Sequence, residues 1–237
     1  MKILAFDSTA KIASVAVLEN EKVLASYHID NGLTQSELLL PMAEDALLAL
    51  RLNFSDIGLF ACSVGPGSFT GVRIGAALVK GLAFGKGVPC CGVSTLEALA
   101  ENLRGLKGLI VPVMDARRGQ YYTALFRYDG TMTRLTEDEA LSAEALAEKI
   151  KEHTNGAPVY LVGDGYCNAY AALAALGINA EQTPELLILE NAASIGKVAY
   201  QKQKNGQAVT DSELSATYLR LPQAERERLE RLEKNTK

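Results

Sequence analysis

Residues 63–75 read SVGPGSFTGVRIG, from Ser63 to Gly75, with four glycines that follow an apolar, strand-like run (Ile57 to Val64) and open a segment of helical periodicity. Such a stretch is either a phosphate cradle or a turn that launches a helix with a small-residue face. A P-loop needs a lysine directly after its last glycine, so that an ammonium reaches the terminal phosphates. Here Val72 follows Gly71, and the next lysine is Lys80. A dinucleotide fingerprint needs its third glycine three residues after the second and an acid about twenty residues further on. Counting from Gly67, that position is Thr70, and residues 71–93 hold no Asp or Glu. Both phosphate motifs fail. What stands is a tight turn at Gly65-Pro66-Gly67, an N-cap at Ser68 or Thr70, and Gly71 and Gly75 one helical turn apart. Glycine inside a helix costs about 1 kcal/mol against alanine. Two on one face, continued by Leu78 and Leu82, therefore predict that another backbone comes close, either the chain's own sheet or a partner's helix.

Outward from this turn, the chain echoes itself. Ile3 to Asp7 is an apolar strand ending in an aspartate, followed by Ala13 to Leu18, a turn at Glu19 to Lys22, and Val23 to Ile29. Val111 to Asp115 also ends in an aspartate, and is followed by Gln120 to Tyr128, a turn at Asp129-Gly130, and Thr131 to Leu135. Each meander leads into helical periodicity. In the first half Thr34 and Glu37 have capping-box spacing ahead of Leu38, Leu39, Met42, Ala46, Leu47 and Leu50; in the second, Leu141 to Lys151 takes that part. Strand-like runs at Ile57 to Val64 and Val159 to Val162 follow, each with a helical segment after it. Strand, strand, strand, helix, strand, helix, twice over, predicts two actin-like, ribonuclease-H-like lobes in an α/β fold, each a mixed five-stranded sheet flanked by helices. The expected boundaries are 1–105 and 106–222, with a small-residue helix at 189–204 as a candidate to pack back on the first lobe. Residues 223–237 are almost all charge and read as a solvated tail.

Composition narrows the function. The chain has 237 residues, 48% of them hydrophobic, enough for a substantial core, and a net charge of −4, which argues against a general polyanion-binding surface. Cys62, Cys90, Cys91 and Cys167 form no CxxC, which fits a reducing, cytoplasmic setting. Asp7 ends the first apolar run well short of a signal segment, and no run reaches membrane-spanning length. The only histidines, His28 and His153, form no pair, and a serine hydrolase would need one of them as its base. The run 63–67 also lacks the central serine of a nucleophile elbow.

GPGSFTGVRIG, followed by KGLA and GVSTLEALA, and later by DARRGQYY and YLRLP, resembles the TsaB (YeaZ) family over nearly the whole chain, Ile3 to about Pro222. That family is the non-catalytic partner of the TsaD subunit in bacterial tRNA threonylcarbamoyladenosine synthesis, and TsaD relatives carry a related GPG segment. The resemblance implies a heterodimer with TsaD, a TsaE ATPase in the larger assembly, and contact with tRNA only through the complex. The modified base would be the adenosine beside the anticodon, with the threonylcarbamoyl group supplied as an adenylate by a separate enzyme. TsaD binds its metal with an H-x-x-x-H pair, where this chain has Thr95 and Leu99. Neither is a useful metal ligand. Ser94 and Glu97 instead have capping-box spacing.

An actin-like cleft holds magnesium nucleotide between two strand-end aspartates whose loops also carry glycine and hydroxyl residues. Asp7-Ser8-Thr9-Ala10 keeps acid and hydroxyls but no glycine, and Asp115-Ala116-Arg117-Arg118-Gly119 brings bulk and positive charge. Gly163-Asp164-Gly165 is a short turn that resembles an adenosine-side loop. The expectation is a pseudoenzyme without cofactor or metal, with Asp7 and Asp115 as strand-cap acids and Arg117 and Arg118 paired with acids of the cleft. The alternative is an actin-like ATPase or kinase using Asp7 and Asp115. As a scaffold, the chain would dock its partner through Gln35, Leu38, Leu39 and Met42 on one helix and Gly71, Arg73, Gly75 and Leu78 on the next. A homologous partner would offer the same two helices, so the same face predicts a homodimer when the chain is alone.

Overall fold

In the computed structural model, which describes residues 1–220, the first half begins with an antiparallel meander of β1 (Lys2–Asp7), β2 (Ala13–Glu19) and β3 (Lys22–Ile29). Then come α1 (Gln35–Ala49), β4 (Leu59–Ser63), α2 (Phe69–Ala83), β5 (Cys90–Val93) and α3 (Thr95–Asn102). The strands order as β3-β2-β1-β4-β5, with β4 parallel to both β1 and β5. Period-two alternation divides their side chains between two cores. Leu4, Phe6, Val15, Val17, Phe60 and Cys62 face α1 and α2, while Ile3, Ala5, Ala16, Leu18, Leu59 and Ala61 face the other way. The helix starts follow the sequence signals. Glu37 accepts hydrogen bonds from the Thr34 amide (3.0 Å) and hydroxyl (2.6 Å), and the Ser68 hydroxyl accepts from the Gly71 amide (3.2 Å). Ser94 caps α3 through the Glu97 amide (3.3 Å), whereas the Glu97 carboxylate lies toward Lys202.

The second half repeats this plan with β6 (Gly108–Asp115), β7 (Gln120–Thr123), β10 (Glu139–Ser142), α4 (Ala143–Thr154), β11 (Val159–Val162), α5 (Tyr166–Ala175) and β12 (Ala180–Glu181). Its path, β10-β7-β6-β11-β12, matches that of the first sheet strand for strand. The strand count is a correction, because among the described residues the sheet has seven strands rather than five. The expected strand Gln120 to Tyr128 breaks at Ala124-Leu125 into β7 and β8 (Phe126–Tyr128), which pair with the last and first residues of β6 respectively. The Leu125 amide turns aside to the Thr136 hydroxyl (2.9 Å), and β9 (Met132–Arg134) folds back on β8. Thr131 to Leu135 therefore belongs to an inserted hairpin, and β10 fills the third meander position. The helix expected from Leu141 starts at Ala143, since Leu141 and Ser142 lie in β10 and the Ser142 hydroxyl accepts from the Ala145 amide.

α6 (Ala192–Lys204), capped by Asn191, comes from the end of the sequence but lies on β1, β2, β4 and β5 of the first sheet. Ala192, Ala193, Ile195, Val198 and Ala199 are buried there. At Gly196 a Cβ would come 2.2 Å from Leu18 Cδ1, so a larger residue there would have to displace the buried Leu18 side chain. α3 sits between the lobes, with Ala98 in the first lobe's core and Leu96, Leu99 and Leu103 packed with Ile110, Met114, Phe126 and Val162. Among the described residues no helix is long and apolar enough to cross a membrane. The charged segment 223–237 lies outside the described residues, as do residues 221 and 222.

Candidate functional site

The strand ends β1 and β6 and the GPG turn meet at a cleft of about 680 Å³. Thr9, Ala10 and Lys11 after β1, Gly67 and Ser68 at the start of α2, Asp115 to Arg117 after β6, and Asp164 after β11 form its walls, and Thr217 to Arg220 close one side. Strand ends are natural places for such a cleft, because loops there are free of ladder pairing.

Asp7 lies behind Thr9, almost fully buried. Its Oδ1 accepts from the Thr9 amide (2.8 Å), the Thr9 hydroxyl (2.6 Å) and the Ser63 hydroxyl (2.9 Å), while Oδ2 has no hydrogen-bond partner among the described residues. Burial raises its pKa against the lowering effect of those bonds. It braces the β1 turn against β4. Asp115 is exposed on the cleft wall; its Oδ1 accepts from the Arg117 amide (2.7 Å), and its own amide donates to Asp164 Oδ1 (3.1 Å). Arg117 and Arg118 have φ of 62° and 56°, a left-handed turn that brings the Gln120 amide to the Arg117 carbonyl (3.2 Å). Non-glycine residues seldom hold this conformation.

Glu190, just before the Asn191 cap of α6, bears on the same region and escaped the sequence reading. Its side chain is buried and neither carboxyl oxygen has a hydrogen-bond partner among the described residues. Burial pushes its pKa up to about 8, and repulsion from Asp164 and Asp7 adds to this. Asp164 is itself raised, chiefly by burial. Among the described residues no group of three or more His, Cys, Asp or Glu is placed to hold a metal ion. His28 in β3 contacts Ser26 Oγ (3.0 Å), and His153 contacts the Lys149 carbonyl (2.8 Å) within α4.

The helix face carrying Gly71 and Gly75 is a correction. A Cβ on Gly71 would lie 1.8 Å from the Ser8 carbonyl oxygen, and one on Gly75 would lie 2.8 Å from Ser8 Oγ. The Ser8 hydroxyl donates to the Gly71 carbonyl (2.8 Å). The backbone that approaches α2 is thus the chain's own β1 turn, which closes the open alternative. Leu39 and Met42 are likewise buried under α1, and Leu38 and Leu78 are half-buried. Gln35 donates to the Ala10 (2.9 Å) and Lys11 (3.1 Å) carbonyls. Of the expected docking residues only Arg73 is exposed. The outward sides of these helices hold residues that periodicity alone did not single out: Leu40, Leu48 (76% exposed) and Phe84 (77% exposed), with Ala77 and Gly81 between the α2 turns.

Comparison with known proteins places this geometry. A family model described as TsaD, tRNA N6-adenosine threonylcarbamoyltransferase, matches residues 34–226. The tRNA threonylcarbamoyladenosine biosynthesis protein TsaB of Bacillus subtilis is 36% identical over 164 residues, 69% of this chain and 71% of the relative. YeaZ from Pseudomonas aeruginosa superposes with a TM-score of 0.76 at 26% identity, over 92% of this chain and 99% of the other. A ROK hexokinase from Thermus thermophilus, 12% identical, shares the fold alone, with a TM-score of 0.51 over 86% of this chain and 100% of its own.

Proposed function

The chain belongs to the TsaB (YeaZ) family, homologous to the catalytic TsaD subunit, and from that premise we propose that it is a non-catalytic subunit that binds and organises TsaD for tRNA N6-threonylcarbamoyladenosine synthesis. One observation carries this reading: the exposed apolar residues Leu40 and Leu48 lie on α1, Phe84 directly follows α2, and the two helices adjoin. Large apolar side chains left exposed on adjoining elements fit an interface. The docking surface is therefore the outward side of the two helices, including Arg73, and not the glycine face. A homologous partner presenting the same two helices gives a pseudo-two-fold contact, and a second copy gives a homodimer when the chain is alone. TsaE joins the larger assembly, and tRNA is reached only through the complex.

Several features support the absence of catalysis. Thr95 and Leu99, at the positions of the TsaD histidine pair, are buried in α3 and packed into the core. Asp7 is spent on holding Thr9 and Ser63, which disfavours the ATPase or kinase reading with Asp7 and Asp115 around magnesium. The purified chain with tRNA, ATP and threonylcarbamoyl adenylate will leave the tRNA unmodified; robust modification by the isolated chain overturns the reading. Phe84→Glu combined with Ala77→Glu will abolish co-purification with TsaD, more than tenfold weaker, while the thermal transition stays within a few degrees of the parent. Both sites are exposed, so little folding energy is at stake. Undiminished TsaD binding by this variant would place the interface elsewhere.

A further inference from the structure

The last described residues run across the mouth of the cleft. Val209 pairs with Cys90 at the edge of β5, both bonds at 2.8 Å. Leu214 is buried in the first lobe, and its carbonyl accepts from Lys80 Nζ (3.0 Å). The Thr217 amide donates to the Val64 carbonyl (2.7 Å), just before the GPG turn. The Tyr218 ring packs on Phe69 with centroids 4.6 Å apart, and its hydroxyl accepts from Arg73 Nε (3.0 Å). Up to this point every contact is with the first lobe. At Arg220 the chain crosses over: one guanidinium nitrogen donates to the Ala116 carbonyl (2.8 Å), the other to Gln120 Oε1, and the group lies 5.6 Å from the Tyr122 ring centre.

We propose that Thr217–Arg220 is a latch that holds the interlobe cleft closed from within the chain, with Tyr218 as its anchor on α2 and Arg220 as its catch on the β6–β7 turn. The covalent crossings between the lobes lie elsewhere, at residues 103–107 after α3 and at 188–191 before α6. Two-lobed clefts change angle about a few such connecting residues, so a further bond between the lobes, made outside those connections, restrains that angle. Arg220 suits that task. It makes charge-assisted hydrogen bonds, stronger than neutral ones, from a planar fork that reaches two acceptors at once. Both acceptors belong to the turn that also carries the left-handed Arg117 and Arg118. Because all four latch residues line the cleft, the segment occupies wall space that an entering ligand would otherwise use. The catch is independent of the docking reading, since it acts within one copy of the chain.

The test is the distance between the lobes in the full chain. Cys167, on α5, is exposed, whereas Cys62, Cys90 and Cys91 are buried, and burial pushes the Cys90 and Cys91 thiols up to about 11. A spin label therefore goes to Cys167 and to a second site, Lys22→Cys, at the exposed start of β3. Diluted into an excess of unlabelled chain, so that label pairs within one copy dominate, the parent will show one narrow distance distribution. Arg220→Ala will add a second, separate population, and Gln120→Ala, which removes an acceptor on the other lobe, will add the same one. Arg220→Lys, which can still donate to the Ala116 carbonyl, will restore most of the parent population. A folded Arg220→Ala or Gln120→Ala protein with the parent distribution overturns the latch. If Arg220→Ala does not fold, the Gln120→Ala distribution alone decides.

Discussion

Gly71→Ala will destabilise the protein by about 3 kcal/mol or more, because one added methyl would overlap backbone and not a movable side chain. Its Cβ would lie 1.8 Å from the Ser8 carbonyl oxygen and 2.9 Å from the carbonyl carbon, so α2 or the β1 turn must move. Movement of that turn also breaks the Ser8 bond to the Gly71 carbonyl and disturbs Asp7. Gly81→Ala, in the same helix, supplies the control. Nothing among the described residues lies within 4 Å of the added atom, and helix propensity favours alanine by about 1 kcal/mol. One chemical change, made nearly three turns apart, thus has opposite signs. Urea unfolding midpoints of the two variants measure this directly, and equal midpoints would refute the inward orientation of the glycine face.

Glu190→Gln will raise stability at pH 7 to 8 by on the order of 3 kcal/mol, converting a pKa shift into free energy at about 1.4 kcal/mol per unit. The sign follows from proton counts. Unfolded, the carboxyl titrates near 4.5; folded, at about 8. Between those values the native protein binds a proton that the unfolded chain does not. Stability from this group is therefore complete below about pH 4.5 and is lost as pH rises through about 8. Glutamine has the shape of the protonated acid and no proton to lose, so the variant's stability curve will be flatter over that range. Asp7 and Asp164 are raised in the same direction and leave a residual slope. Parallel curves for parent and variant, from denaturant unfolding at several pH values, would show that Glu190 is ionised in the folded protein.

The repeat of strand, strand, strand, helix, strand, helix was legible because it rests on local periodicity, which β1 to β5 and α1 to α3 obey. Its misreading at Thr131 to Leu135 came from a strand break at Ala124-Leu125 that no glycine or proline announces; a tertiary bond from Leu125 to Thr136 makes it. Gly71 and Gly75 announced a close backbone correctly, but spacing does not say whose backbone it is. The answer lies in Ser8, more than sixty residues upstream. Glu190 was invisible for the same reason. Its neighbours in sequence, Leu189 and Asn191, give no hint of the two aspartates that approach it from different strand ends. Leu48 and Phe84 fell outside the expected docking set because that set was drawn from the periodic apolar face of each helix, which packs inward, whereas these two residues are exposed.

The position of α6 also governs how the protein can be made. One face of the first sheet is finished only when Ala192 to Lys204 arrives, and the Ala192 amide bonds to the buried Ser14 hydroxyl across 178 residues of chain. On the ribosome, β1 to β5 emerge early, with Ile3, Ala5, Ala16, Leu18, Leu59 and Ala61 left uncovered until almost the entire polypeptide has been synthesised. Long-range closure of this kind slows folding and prolongs exposure of apolar strands. The first sheet is thus completed by a helix encoded beyond the second lobe, whereas the second sheet carries α4 and α5 of its own half.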